Sequence, residues 1–175
     1  MFIRQNKIKI GVYWEEKELA LDIDLSALML DKQKMLLNEK CLVFFNNKKS
    51  FDGSLFLDDS LCFGNYTIGD PFENLIIELD KIDKNVSCII FGLSTSEELQ
   101  YLHFADKIEI TLINLENVEY YRVLRKNLIS NIPSQTRSIV FGSLNRNAEY
   151  WEYIPLNEPS YKGLEGLLAK YINEL

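Results

Sequence analysis

One histidine, His103, and three cysteines without paired spacing, Cys41, Cys62 and Cys88, leave too few ligands for a Cys/His zinc site. Cys41 and Cys88 fall in apolar, strand-like runs, the setting of buried free thiols rather than of a disulfide framework. No apolar run approaches the roughly 18 residues of a membrane span. The first seven residues, Met1 to Lys7, hold no signal-peptide core before charge resumes, so a cytoplasmic protein is expected. Basic residues are in deficit, 19 Lys+Arg against 26 Asp+Glu, for a net charge of −7. That balance disfavours nucleic acid and anionic membrane surfaces and suits a cation. The Lys48-Lys49 pair is too small a basic patch to reverse it. His103 follows Ser94-Thr95-Ser96, but neither a nucleophile elbow nor an oxyanion glycine cluster accompanies it, so an enzyme is not expected. Glu15-Glu16 and Glu97-Glu98 are adjacent, point apart and make poor acid/base pairs.

What is present is short-period alternation. Lys7 to Trp14 places Ile8, Ile10, Val12 and Trp14 on one face. Leu19 to Leu30, Leu42 to Phe45, Leu75 to Leu79, Val86 to Leu93, Lys107 to Asn114, Val118 to Leu124, Ser138 to Phe141 and Trp151 to Leu156 read as further strands. Asp52-Gly53 marks a turn, and Asp58 to Glu73 reads as a loop broken by Gly64-Asn65, Gly69-Asp70 and Pro71. Ser94 to Leu102 has the acids and cap residues of one helical turn. Tyr161 to Leu175 changes to helical spacing, with Leu164, Leu167, Leu168, Tyr171, Ile172 and Leu175 on one stripe that would pack on a sheet. The expected fold is a single domain over residues 1–175, mostly β: a two-sheet antiparallel β-sandwich with a C-terminal amphipathic helix. Trp14, Phe45, Phe44, Phe141, Trp151 and Tyr153 are expected mainly in its core, with Tyr120, Tyr121 and Tyr150 partly exposed.

Within the second strand, Leu21, Ile23 and Leu25 point one way and Asp22, Asp24 and Ser26 the other. Two carboxylates on one strand face repel unless a cation lies between them. Asn46, Asn47 and Asp52 follow, with no Lys or Arg obviously placed to neutralise the set. Hard oxygen donors of this kind are what calcium selects.

These residues carry a resemblance. Leu21-Asp22-Ile23-Asp24-Leu25-Ser26-Ala27 and Val43-Phe44-Phe45-Asn46-Asn47, running on to Asp52-Gly53-Ser54, are followed by Ile139-Val140-Phe141-Gly142-Ser143-Leu144-Asn145-Arg146, Trp151 and Tyr161-Lys162-Gly163-Leu164. In order and spacing the chain resembles the TerD family of bacterial tellurium-resistance and stress-response proteins. The resemblance implies a two-sheet sandwich without enzymatic activity that binds one or two calcium ions through acidic loops. It also implies partners among other tellurium-resistance operon products, membrane-associated ones included, without nucleic acid or direct membrane insertion. Carried onto this chain, the metal ligands would come from Asp22, Asp24, Asn46, Asn47, Asp52, Asp58, Asp59, Asp70 and Glu73. The chain departs from the family pattern in its acids. Ala20 stands where the family's first Asp of Asp-x-Asp-x-Asp would be, and Leu57-Asp58-Asp59 and Gly69-Asp70-Pro71-Phe72-Glu73 carry fewer acids than usual. The alternative is therefore a metal-independent scaffold or interaction module on the same fold, its calcium sites eroded.

Overall fold

The computed structural model describes residues 1–16, 21–58, 72–116, 122–128, 130 and 132–172. Two antiparallel sheets stack face to face. The first, in spatial order, is β1 (Phe2–Ile3), β11 (Trp151–Ser160), β10 (Ser138–Arg146), β7 (Cys88–Thr95), β3 (Ile23–Leu30) and β4 (Leu42–Val43). The second is β5 (Leu55–Leu57), β6 (Phe72–Glu78), β2 (Lys7–Glu16), β8 (Ala105–Asn114) and β9 (Arg122–Asn127). This is the expected sandwich.

Alternation decides what lies between the sheets. Ile8, Ile10, Val12 and Trp14 of β2 meet Ile23, Leu25, Ala27 and Met29 of β3 and Ile89, Phe91 and Leu93 of β7 in one core. Phe91 and Phe141 stack there with ring centroids 6.1 Å apart. Each such side chain contributes about 1.5–3 kcal/mol by leaving water. Trp14 satisfies its indole by donating to the Leu21 carbonyl at 3.0 Å, which ties the end of one sheet to the start of β3. Cys41 and Cys88 are buried free thiols; Cys62 lies outside the described residues.

The first sheet is also covered on its outer side. Leu28, Leu30, Leu42, Cys88, Ile90 and Val140 form a second cluster with Leu167 and Tyr171 of the C-terminal segment. Leu164, Leu167, Leu168 and Tyr171 of the stripe pack as expected, whereas Ile172 is exposed, and the helix does not span Tyr161 to Leu175. It is a single piece, α1 (Leu164–Leu168), followed by a turn through Tyr171; residues 173–175 lie outside the described residues. The chain before it is pinned in a bend: Ser138 Oγ donates to the Lys162 carbonyl at 2.6 Å, and the Lys162 N–H donates to Ser160 Oγ at 3.2 Å. Helix therefore starts only after Gly163.

Other boundaries also moved. The helical turn expected over Ser94 to Leu102 is not an α-turn of helix. Ser94 and Thr95 complete β7, a tight turn closes from Gln100 N–H to the Glu97 carbonyl, and Leu102–Phe104 is a lone 3₁₀ turn. The Thr95 hydroxyl donates to the Gln100 carbonyl at 2.9 Å, so the would-be capping residue braces the turn from the strand instead. The strand read as Leu19 to Leu30 begins at Ile23 among the described residues, and that read as Val118 to Leu124 is described as Arg122–Asn127. The third strand stops at Val43, because Phe44 and Asn47 close a turn through two backbone bonds. That turn throws Phe45 outward, 50% exposed, where a core position was expected. Tyr120, Tyr121 and most of the predicted loop, residues 59–71, fall outside the described residues.

Candidate cation site

The strand register fixes where each predicted ligand lies. In β7, Thr95 faces Ile23 and Cys88 faces Leu30. Seven residues at about 3.3 Å each separate these two poles by roughly 23 Å.

Asp22 and Asp24 stand together at the Thr95 pole, on the outer face of β3, as alternation required. Asp24 lies opposite Ser94, itself opposite Ser138, so a carboxylate and two buried hydroxyl-bearing residues form one row across three strands. Burial, and then the charge of Asp22, push the Asp24 carboxyl up to about 6. Among the described residues no lysine or arginine pairs with either acid. Asp22 is held by the neighbouring turn. Ser96 Oγ donates to Asp22 Oδ2 at 2.9 Å, and the Asp22 N–H donates to Gln100 Oε1 at 3.2 Å. Nothing in the spacing of Ser96 and Gln100 marks them as partners of Asp22; the β3–β7 register puts them there.

Asn46 and Asn47 occupy the turn after β4. Asn46 is exposed, and Asn47 Nδ2 donates to the Leu42 carbonyl at 2.6 Å, bracing the turn. Glu73 and Asp58 lie on the second sheet toward the Thr95 pole, since Glu73 faces Val12 and the Asp58 N–H reaches the Asn74 carbonyl. Glu73, however, shares the Leu75 side of β6 and faces inward, whereas Asp22 and Asp24 project from the far side of the other sheet. Asp59 and Asp70 lie outside the described residues.

Asp52 is at the other pole, and its carboxylate is fully engaged. Oδ1 accepts from Ser50 Oγ at 2.7 Å, Ser54 Oγ at 2.7 Å and Ser54 N–H at 3.0 Å, and Oδ2 accepts from Asp83 N–H at 2.8 Å. Burial raises its pKa, but the hydrogen bonds from Asp83 and Ser54, with Ser50, outweigh burial and hold it below the usual carboxylate value. Asp83 in turn offers its carbonyl to Arg146 Nη2 at 2.9 Å, and Arg146 also reaches the Ile82 and Val86 carbonyls while covering the Trp151 ring at 4.5 Å. Asp52 is thus the keystone of a turn network. Its Asp-Gly context, with Gly53 at φ 74°, is the sequence signal for that role.

Of the predicted set, then, the structure brings together the pair Asp22–Asp24. No group of three His, Cys, Asp or Glu side chains able to hold a metal occurs among the described residues. The pair still suits a hard cation: two carboxylates on one face, one of them destabilised as an anion by burial, with hydroxyl oxygens nearby. His103 packs its ring against Tyr101 at 5.8 Å and Phe104 at 4.8 Å, in the 3₁₀ turn that leads into β8.

Comparison with known proteins agrees with this architecture. The chain is 25% identical over 168 residues to the tellurium resistance protein TerD of Serratia marcescens, covering 94% of this chain and 86% of that one. It is 25% identical over 154 residues to the stress response protein SCP2 of Bacillus subtilis, covering 87% and 75%. Two solved structures share the fold. One, of a protein of unknown function, SAV2460, has TM-score 0.73 at 14% identity over 94% of this chain and 95% of that one. The other, of SCO6318, a homologue of the telluride resistance protein TerD from Streptomyces coelicolor A3(2), has TM-score 0.69 at 15% identity over 91% and 93%. The TerD domain model matches residues 3–171, nearly the whole chain, and the protein belongs to the TerD family.

Proposed function

We propose that this protein is a non-enzymatic stress-response protein of the tellurium-resistance type that takes calcium at the Asp22–Asp24 pole and engages protein partners through that face. The observation that carries the reading is the Asp24 carboxyl, half-buried beside a like charge with no pairing cation among the described residues. A divalent ion would supply the missing positive charge and order the Ser96–Gln100 turn through Asp22. Asp59 and Asp70 remain candidate ligands for the same ion or a second one. Thiol chemistry on an oxyanion is disfavoured on the same grounds of burial, which pushes the Cys88 thiol up to about 11 and keeps it protonated at neutral pH.

The metal-independent module is the second reading, favoured by Asp52 being engaged by four internal donors at the opposite pole. Calorimetric titration of chelator-stripped protein with calcium, and with magnesium as control, separates the two. Binding of one or two calcium ions that Asp24→Asn abolishes supports the first. Absence of heat and of any thermal shift at millimolar calcium rejects it in favour of the second.

A further inference from the structure

The chain leaves β4, the terminal strand of one sheet, and enters β5, the terminal strand of the other, through residues 44–54. This edge differs from the rest of the molecule. From Lys40 to Phe51 there are three lysines, Lys40, Lys48 and Lys49, and no acid, although the whole chain carries a net charge of −7. Lys7, Lys81, Lys107 and Lys170 each form an ion pair with a glutamate, whereas Lys40 and Lys49 form none among the described residues. The next acid, Asp52, has both carboxylate oxygens turned onto internal donors. Two phenylalanines stand in the same stretch at turn positions, Phe45 at 50% and Phe51 at 43% exposure. The Phe51 N–H donates to the Lys40 carbonyl at 3.2 Å, which places Phe51 beside Lys40, and Lys49 bridges β5 at Phe56.

We infer that this edge, with Phe45 and Phe51 as apolar tips and Lys40 and Lys49 as a cationic rim, adsorbs the protein to an anionic lipid surface. Exposed aromatic side chains flanked by lysines match the boundary between acyl chains and negatively charged headgroups. The phenylalanines sit on projecting turns rather than in a groove, a shape that suits a deformable interface better than a preformed protein partner. The local charge is complementary to such a surface. Adsorption here needs no metal and no segment that crosses the bilayer.

The test is co-sedimentation of the full chain, in chelator, with vesicles of phosphatidylcholine containing about a third phosphatidylserine and with vesicles of phosphatidylcholine alone. The expected result is binding to the first and not the second, weakened by salt. Lys40→Gln with Lys49→Gln, and separately Phe45→Ser with Phe51→Ser, are each expected to weaken it at least about tenfold, with melting temperatures matching the parent. No binding to the anionic vesicles overturns the inference, as does binding that both double variants retain. Retention of the chain on polyglutamate resin without vesicle binding would assign the edge to an acidic polypeptide and overturn it equally. Because the assay runs without calcium, failure of the calcium reading leaves its outcome unaffected.

Discussion

Two aspartates in this chain illustrate how one residue type serves opposite ends. Asp52 is an anion the fold needs. Its depressed pKa means that its stabilisation is present above the unfolded value and fades as pH falls through the folded one. Asp52→Ala leaves Ser50, Ser54 and Asp83 donors without their acceptor and should cost about 2–4 kcal/mol, read from urea unfolding at neutral pH. Asp24 is an anion the fold tolerates. Its folded value of about 6 lies above the unfolded 3.8, so the folded state holds the proton more tightly across that window. Its favourable contribution is full below the unfolded value and is lost as pH rises toward 6, with Asp22 adding to the loss. Asp24→Asn in chelator should therefore raise stability at pH 7 by about 1–2 kcal/mol after allowance for solvent screening. It should also flatten the pH dependence between the two values. A variant less stable than the parent at pH 7 would contradict the carboxylate repulsion that the cation reading rests on.

Among the elements, the C-terminal segment shows where pattern reading succeeds and where it stops. The stripe Leu164, Leu167, Leu168, Tyr171 was legible because packing on a sheet needs only the right side chains on one side, and Leu167 and Tyr171 are buried accordingly. The helix length was not legible, because Ser138 and Ser160 fix the approach of the chain from distant positions. A five-residue helix has little stability of its own, so it depends on the sheet beneath it. Gly92 makes that docking possible: a Cβ there would lie 2.5 Å from Leu167 Cδ1. Gly92→Ala should cost about 1–3 kcal/mol by displacing Leu167. Limited proteolysis should then cut first after Tyr161, while the inner core stays intact. The same distinction explains the strands. Alternation located β2, β3 and β8, whose inner faces are mainly apolar, but missed β1 and β5, at two and three residues too short to show a period. Phe45 was misplaced because two turn hydrogen bonds, and not hydrophobicity, decide which way it faces.

At the scale of the whole molecule, the division of the acidic residues between two poles has a consequence that point substitutions do not reach. The sequence presents Asp22, Asp24, Asn46, Asn47 and Asp52 as one set, since the chain returns to them within about thirty residues, and thirty residues of chain can close on one site or span a sandwich. The register decides for the second: Asp22 and Asp24 lie by Thr95, and Asp52 is tied to Asp83 in the turn that leads into the Cys88 end of β7, an end about 23 Å from Thr95 by strand rise. An ion held by the Asp22–Asp24 pair therefore braces one pole and leaves the other unchanged. Native-state hydrogen exchange tests this directly, because calcium binding lowers local opening only where the ion bears on the backbone. Amides of Ile23 to Leu25 and Ser96 to Gln100 should exchange more slowly when calcium is added to the chelated protein. At saturation a hundredfold above Kd, slowing is limited to about 2.7 kcal/mol, or roughly a hundredfold. Amides of Ser54, Leu55, Asp83 and Val86 should not change, since their bonds to Asp52, Ser50 and the Arg146 network are complete without the ion. Protection that appears at the Asp52 pole instead would move the ion there and require Asp52 to surrender its serine partners. Protection at both poles would mean that calcium acts on the global unfolding equilibrium rather than on one face.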